Sequence, residues 1–161
     1  VNADIVIYQN MTGTTPSAWN DPTKGGELAR SQFDRGADVV YAAAGGTGIG
    51  VYQAAKDAGK LAIGVDSNQN HLHPGKVLTS MIKRVDNAVF DAMSDGPGME
   101  KGFNVMGVGN EGVGVAIDEH NKALVTAEMQ AAVDEAAAKI ADGSLEVHDY
   151  MSDDSCPSLS F

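Results

Sequence analysis

The chain of 161 residues has one cysteine, one tryptophan and only 11 basic residues against 22 acidic ones. A single thiol excludes an intrachain disulfide and a cysteine metal cluster. That thiol, Cys156, lies in the acidic tail Ser152-Asp153-Asp154-Ser155-Cys156-Pro157, where it reads as a surface thiol or a bridge to another chain. A formal charge of −11 argues against nucleic acid as a partner, because phosphate binding needs a basic face. The same charge opposes binding to an anionic membrane surface. No run approaches the roughly 18 consecutive apolar residues of a membrane span. The opening Val1-Asn2-Ala3-Asp4 has neither the basic segment nor the apolar core of a secretory signal. Aromatics are scarce at 6%, while 43% hydrophobic and 20% charged residues describe an ordinary globular chain. Its length suits one domain with a real core, or two small lobes at most.

Glycine is plentiful, with 19 residues clustered in turns and no repeating period. The most informative stretch runs from Val39 to Asp66. Val39-Val40-Tyr41-Ala42-Ala43-Ala44 reads as a buried strand and Gly45-Gly46-Thr47-Gly48 as a turn. A helix over 48–58 follows, then a second apolar strand, 61–65, that ends on the carboxylate of Asp66. Strands that are apolar throughout belong to parallel sheets covered on both faces. Ligands bind such sheets at the carboxyl ends of the strands, where the turn and Asp66 both fall.

The remaining pattern agrees with strand–helix alternation. Ile5-Val6-Ile7-Tyr8 predicts a short strand. Asp21-Pro22 predicts the start of a helix with Leu28, Ala29, Gln32 and Phe33 as its buried stripe and Gly36 at its end. Residues 77–82 form another extended run. Val85, Ala88, Val89, Ala92 and Met93 mark one face of a helix over 85–94, which Asp95-Gly96-Pro97-Gly98 breaks. Residues 103–108 and 112–117 read as two short strands, and 126–141 as a helix capped by Thr126.

Two chemistries compete at the glycine turn. Gly46-Thr47-Gly48 followed about 20 residues later by Asp66 partly matches a dinucleotide fingerprint. Val51 stands where the third glycine is needed, however, and the lysine and hydroxyl of a P-loop are missing. In the other reading, backbone N–H groups at the start of helix 48–58 donate to an acceptor oxygen. Asp66 then takes the paired hydroxyls of a sugar or a nucleoside ribose. In the bland reading the glycines only make a turn and Asp66 only caps a loop. Lys83, at the end of the run 77–82, could donate to a ligand beside Asp66. Trp19 is either an anchor or a stacking face. His71 and His73 lack a carboxylate or thiol partner, so no metal site is expected. No serine or cysteine sits in a nucleophile pattern.

Four segments together resemble the basic membrane protein family of ABC-transporter substrate-binding lipoproteins, typified by purine-nucleoside receptors. They are Trp19-Asn20-Asp21-Pro22-Thr23-Lys24-Gly25, Ala37 to Gly48, Ile63-Gly64-Val65-Asp66-Ser67-Asn68-Gln69, and Leu78 to Asp86. The resemblance covers roughly residues 1–147 and the C-terminal half of the family's chain. It implies an α/β, parallel-sheet, three-layer lobe of the type I periplasmic-binding-protein fold. Residues 1–80 would be the C-terminal-lobe core, and 81–108 a hinge crossing with a helix of the other lobe. Residues 109–147 would be the return crossing and C-terminal helix, with 148–161 an acidic tail. It also implies a binding protein without a cofactor, not an enzyme. Gly45, Gly46, Thr47, Gly48, Asp66 and Lys83 would face a purine-nucleoside-like ligand, with Trp19 beside them. An ABC permease would be the partner, in an extracytoplasmic, membrane-anchored full-length protein. The apolar stripe of helix 85–94 would need a missing N-terminal lobe or self-association to cover it. The runner-up is a nucleotide-dependent, oxidoreductase-like α/β enzyme using the turn from Gly45 to Gly50, and a third reading is a fragment without binding of its own.

Overall fold

The computed structural model describes residues 4–99 and 101–149; Cys156 and the acidic tail from residue 150 onward lie outside the described residues. Helix α1 (Pro22–Asp34) starts as its sequence dictates, with the Asp21 carboxylate accepting from the Lys24 N–H at 3.0 Å and proline in the first turn. Strand β1 (Val39–Tyr41), helix α2 (Gly48–Asp57) and strand β2 (Leu61–Gly64) follow with short links. Strand β3 (Val77–Lys83) pairs with β2, and β4 (Val113–Val115) pairs with β3. The sheet order is β1-β2-β3-β4, parallel except for the antiparallel β3–β4 edge. This is the expected α/β class with a mostly parallel sheet.

The core joins Ala29 and Phe33 of α1, Val51, Tyr52, Ala54 and Ala55 of α2, and Ala42 and Ala62 of the sheet. Five of these eight residues are alanines, and glycines at the crossing let the two helices approach closely. A Cβ on Gly50 would lie 1.7 Å from the Pro22 carbonyl oxygen, and one on Gly25 would lie 2.5 Å from that of Thr47. Glycine is required here for helix contact and not for backbone freedom. The opposite face of the sheet stays open at Val39 and Tyr41, which are both exposed.

Two predicted strands are absent. Ile5-Val6-Ile7-Tyr8 joins no ladder, and its apolar side chains are exposed. Only its end is held: the Tyr8 hydroxyl donates to the Arg35 carbonyl oxygen at 2.8 Å, and the Arg35 guanidinium lies 4.0 Å from the ring centre. Residues 103–108 also form no strand, because Phe103 and Val105 are solvent-exposed and meet no partner edge. Apolar alternation stabilises a strand only where a neighbour supplies the ladder and a face to bury against. The strand expected at 39–44 stops at Tyr41, where the Ala44 N–H turns back to the Ala42 carbonyl oxygen at 2.8 Å.

Helix α3 (Val85–Asp95) forms where its periodicity placed it, but no residue of it is buried. Val85, Val89, Phe90 and Met93 all face solvent. Helix α4 (Ala127–Ala141) is capped by Thr126, whose hydroxyl accepts from the Met129 N–H at 3.1 Å. Its far end meets the turn Val108–Asn110, where a Cβ on Gly109 would lie 3.5 Å from Ala141.

The close α1–α2 crossing gives a direct test. Gly50→Ala forces a methyl group onto the Pro22 carbonyl and is expected to destabilise by about 3 kcal/mol or more. Gly98→Ala, in open space on the surface, is expected to fall within about 0.5 kcal/mol of wild type. Urea denaturation of the two variants checks both.

Candidate functional site

The carboxyl ends of β1, β2 and β3 bring together the residues that the sequence singled out. β1 leads into the turn Gly45–Thr47, β2 leads to Asp66, and β3 ends on Lys83. Trp19, Tyr41, Ala43, Gly45, Val65, Asp66, Met81 and Lys83 line a depression of about 100 Å³ between them. The Lys83 ammonium lies 2.7 Å from the Asp66 carboxylate, and the two side chains are 58% and 49% exposed. That hydrogen bond pushes the Lys83 pKa upward, with the charge of Asp66 adding to it. The result is an acceptor and a donor side by side, open to solvent. Trp19 and Tyr41, both largely exposed, supply aromatic faces on the flank.

Asp66 has φ of +69°, a left-handed conformation uncommon for a residue with a side chain. The Lys83 N–H holds its carbonyl oxygen at 2.9 Å, and the Ser67 N–H turns back to the Val65 carbonyl oxygen at 2.8 Å. Behind the turn, Gln69 Oε1 accepts from the Val65 N–H at 3.2 Å and from the Tyr52 hydroxyl at 2.6 Å. The Gln69 N–H donates to Ser80 Oγ at 3.0 Å, and Ser80 Oγ donates to Asn70 Oδ1 at 2.8 Å. Asn70 Nδ2 donates to Asp118 Oδ2 at 3.0 Å, and Asn121 Nδ2 to the carbonyl oxygens of Leu78 and Ala116 at 2.9 and 2.8 Å. Asn70, Ser80 and Asn121 are completely buried.

The glycine turn is divided in its roles. Gly45 lines the depression at φ +54°, and a Cβ there would lie 3.4 Å from Trp19 Cε3. Gly46 sits against Asn20 and the Trp19 carbonyl oxygen. Thr47 is wholly buried. Its hydroxyl donates to the Ala18 carbonyl oxygen and accepts from the Asp21 N–H, both at 2.7 Å, so it pins the segment that carries Trp19. Gly48 leaves room for Tyr52, whose hydroxyl would stand 2.8 Å from any Cβ there. The depression thus receives Gly45, Asp66, Lys83 and Trp19, while Thr47 and Gly48 face inward.

Sequence reading missed Tyr41 and Met81 in the lining, and Gln69, Asn70, Ser80 and Asn121 behind it. A polar run straight after a buried strand, and a serine within an apolar one, were the available signals. Asp118, Glu119 and His120 also cluster. Asp118 is committed to Asn68, Asn70 and the His120 N–H, and the Asn68 hydrogen bond leads in holding its carboxyl below the usual range.

A parallel-sheet lobe with a polar, aromatic-flanked depression at its strand ends is an α/β architecture that places a ligand site there. The family model described as "ABC transporter substrate-binding protein PnrA-like" matches residues 1–149, and the chain belongs to that family. It is 32% identical over 127 residues to basic membrane protein D of Borreliella burgdorferi, which covers 75% of this chain and 36% of that protein. It is 32% identical over 167 residues to the ABC transporter nucleoside-binding protein BmpA of Lactococcus lactis subsp. cremoris, covering 91% and 45%. An ABC transporter solute-binding protein of Aeropyrum pernix shares the fold, with a TM-score of 0.70 and 24% identity over 89% of this chain and 48% of that one. The chain spans between about a third and a half of the length of these relatives.

Burial pushes the Tyr52 pKa from 10.0 up to about 12, since the ring is only 1% exposed. Below pH 10 the phenol is protonated in both folded and unfolded chains, and its contribution is complete. Between pH 10 and about 12 the unfolded chain loses the proton first, and stability falls by roughly 2–3 kcal/mol. Tyr52→Phe is expected to cost about 1 kcal/mol at pH 8 and to remove that share of the alkaline loss. Denaturation of both proteins at pH 8 and pH 11 measures the difference.

Proposed function

We propose that this chain forms one wall of the ligand cleft in the substrate-binding component of an ABC importer, and that the ligand is a nucleoside or a related small polar molecule. The observation that carries this reading is the open Asp66–Lys83 pair at the strand ends, flanked by Trp19 and Tyr41. A vicinal diol can donate to the carboxylate while accepting from the ammonium, and a base can stack on an aromatic face. The name of the Lactococcus relative supports the nucleoside class. At about 100 Å³ the depression is smaller than the roughly 300–1,000 Å³ of complete ligand pockets, as one wall of a cleft would be.

In this reading the chain is not an enzyme and uses no cofactor. Gly48 is buried, and a Cβ there would lie 2.8 Å from the Tyr52 hydroxyl, so this glycine serves packing. Residues 1–80 act as lobe core, 81–108 and 109–147 as crossings with their helices, and closure on the ligand is a hinge motion. The full-length protein is extracytoplasmic and membrane-anchored, and delivers its ligand to a permease. The exposed face of α3 is covered by the other lobe of the family's fold or, without it, by a second copy.

Adenosine, inosine and guanosine are expected to raise the melting temperature in scanning fluorimetry, with NAD giving no shift. A ligand at 100 times its Kd stabilises by about 2.7 kcal/mol. Asp66→Ala is expected to weaken binding about 10- to 100-fold, the equivalent of one or two hydrogen bonds to a charged group. No shift with any nucleoside, alone or with the other lobe added, would remove the ligand assignment. Size-exclusion chromatography with light scattering is expected to give a mass above one chain; a clean folded monomer would count against the covered α3 face.

A further inference from the structure

We infer that Gln69 is a positioning residue for Asp66, setting the carboxylate against Lys83 from behind the ligand face. The inference rests on the proposed function only in taking Asp66 as the group that meets the ligand.

A left-handed backbone at a residue with a side chain costs about 1–2 kcal/mol and persists where neighbouring structure fixes it. At Asp66 the Lys83 N–H holds the carbonyl oxygen from β3, and the side chain behind the turn is the amide of Gln69. Gln69 folds back across four residues, and its Oε1 accepts the Val65 N–H immediately before the strained residue. A backbone N–H can only donate, so the oxygen and not the nitrogen of this amide must face Val65. The same oxygen accepts from the buried Tyr52 hydroxyl on α2, while the Gln69 N–H is held by Ser80 on β3. One residue therefore ties α2, the end of β2 and the middle of β3 at the point where the chain reverses.

Two glycines keep this arrangement open. A Cβ on Gly64 would lie 2.6 Å from Ser80 Oγ and 3.0 Å from Gln69 Oε1, and one on Gly48 would lie 2.8 Å from the Tyr52 hydroxyl. Neither Gly64 nor Gly48 has a positive φ. Side-chain volume is thus excluded from both places where it would displace the amide. This gives Gly48 a role that the dinucleotide comparison had assigned elsewhere: it clears space for the strut behind Asp66.

The test uses the ligand-free chain, so its outcome is separate from whether nucleosides bind. The raised Lys83 titration reports Asp66 at its side, and the amide-to-Hα couplings of Asp66 report its φ. Both are followed by NMR in wild type, Asp66→Asn, Gln69→Leu and Gln69→Glu. Asp66→Asn returns the Lys83 midpoint to its ordinary value and calibrates the readout. Gln69→Leu is expected to lower the midpoint toward that of Asp66→Asn and to change the Asp66 couplings. Gln69→Glu, which keeps an acceptor oxygen, is expected to retain both. A folded Gln69→Leu with wild-type couplings and midpoint would overturn the inference. Should Gln69→Leu not fold, Gln69→Asn, polar but too short to reach, decides by the same two readouts. Loss of folding in both would make Gln69 a folding residue and overturn its positioning role.

Discussion

Four polar side chains, Thr47, Asn70, Ser80 and Asn121, have no solvent contact, and the edge of the sheet at the strands' carboxyl ends depends on how they are satisfied. A buried polar group without a partner costs about 1–3 kcal/mol, so each must be placed where donors and acceptors match. Among the described residues no buried side-chain nitrogen or oxygen lacks a partner. Satisfying Thr47 fixes the segment that carries Trp19. Satisfying Ser80 and Asn70 fixes the chain after β2, and with it the reversal at Asp66. The apolar core is rich in alanine, and the polar network supplies much of the directional constraint that shapes the edge.

The glycines divide along the same line. Gly25 and Gly50 let α1 and α2 touch, which places the start of α2 beneath the Trp19 segment. Gly48 and Gly64 make room for the hydrogen bonds behind Asp66. Gly45 alone opens onto the depression and also adopts a positive φ. A glycine-rich turn between strand and helix therefore need not be a phosphate cradle; the packing of its neighbours decides its use.

Helix and strand positions from α1 to β3 were legible because caps, stops and apolar runs agreed with one another there. Asp21, Pro22 and Gly36 bracket α1, and Asp66 and Lys83 mark two strand ends. Ile5–Tyr8 and 103–108 carry the same local signal yet form no strands, since pairing is a property of the neighbour and not of the segment. Asp66, Lys83 and Gly45 could be nominated from chemistry at strand ends, and Trp19 as an aromatic in a polar loop. Thr47 and Gly48 could not be told from ligand groups, because a buried hydroxyl and a packing glycine look the same in sequence. Gln69 escaped because its partners, Tyr52 and Ser80, are 17 and 11 residues away.

An edge built this way is rigid at the back and open at the front. The Asp66–Lys83 pair is exposed, yet its backbone is held by the half-buried Gln69 and, through it, by the buried Tyr52 and Ser80. Amide hydrogen exchange tests that claim most directly, at Val65 and Gln69, which lie outside the regular ladder. Their N–H groups donate to the Gln69 side chain and to Ser80. The account predicts protection equal to that of the β2 and β3 ladder amides. Exchange at the rate of open surface loops would contradict it, and would leave Asp66 on a mobile turn.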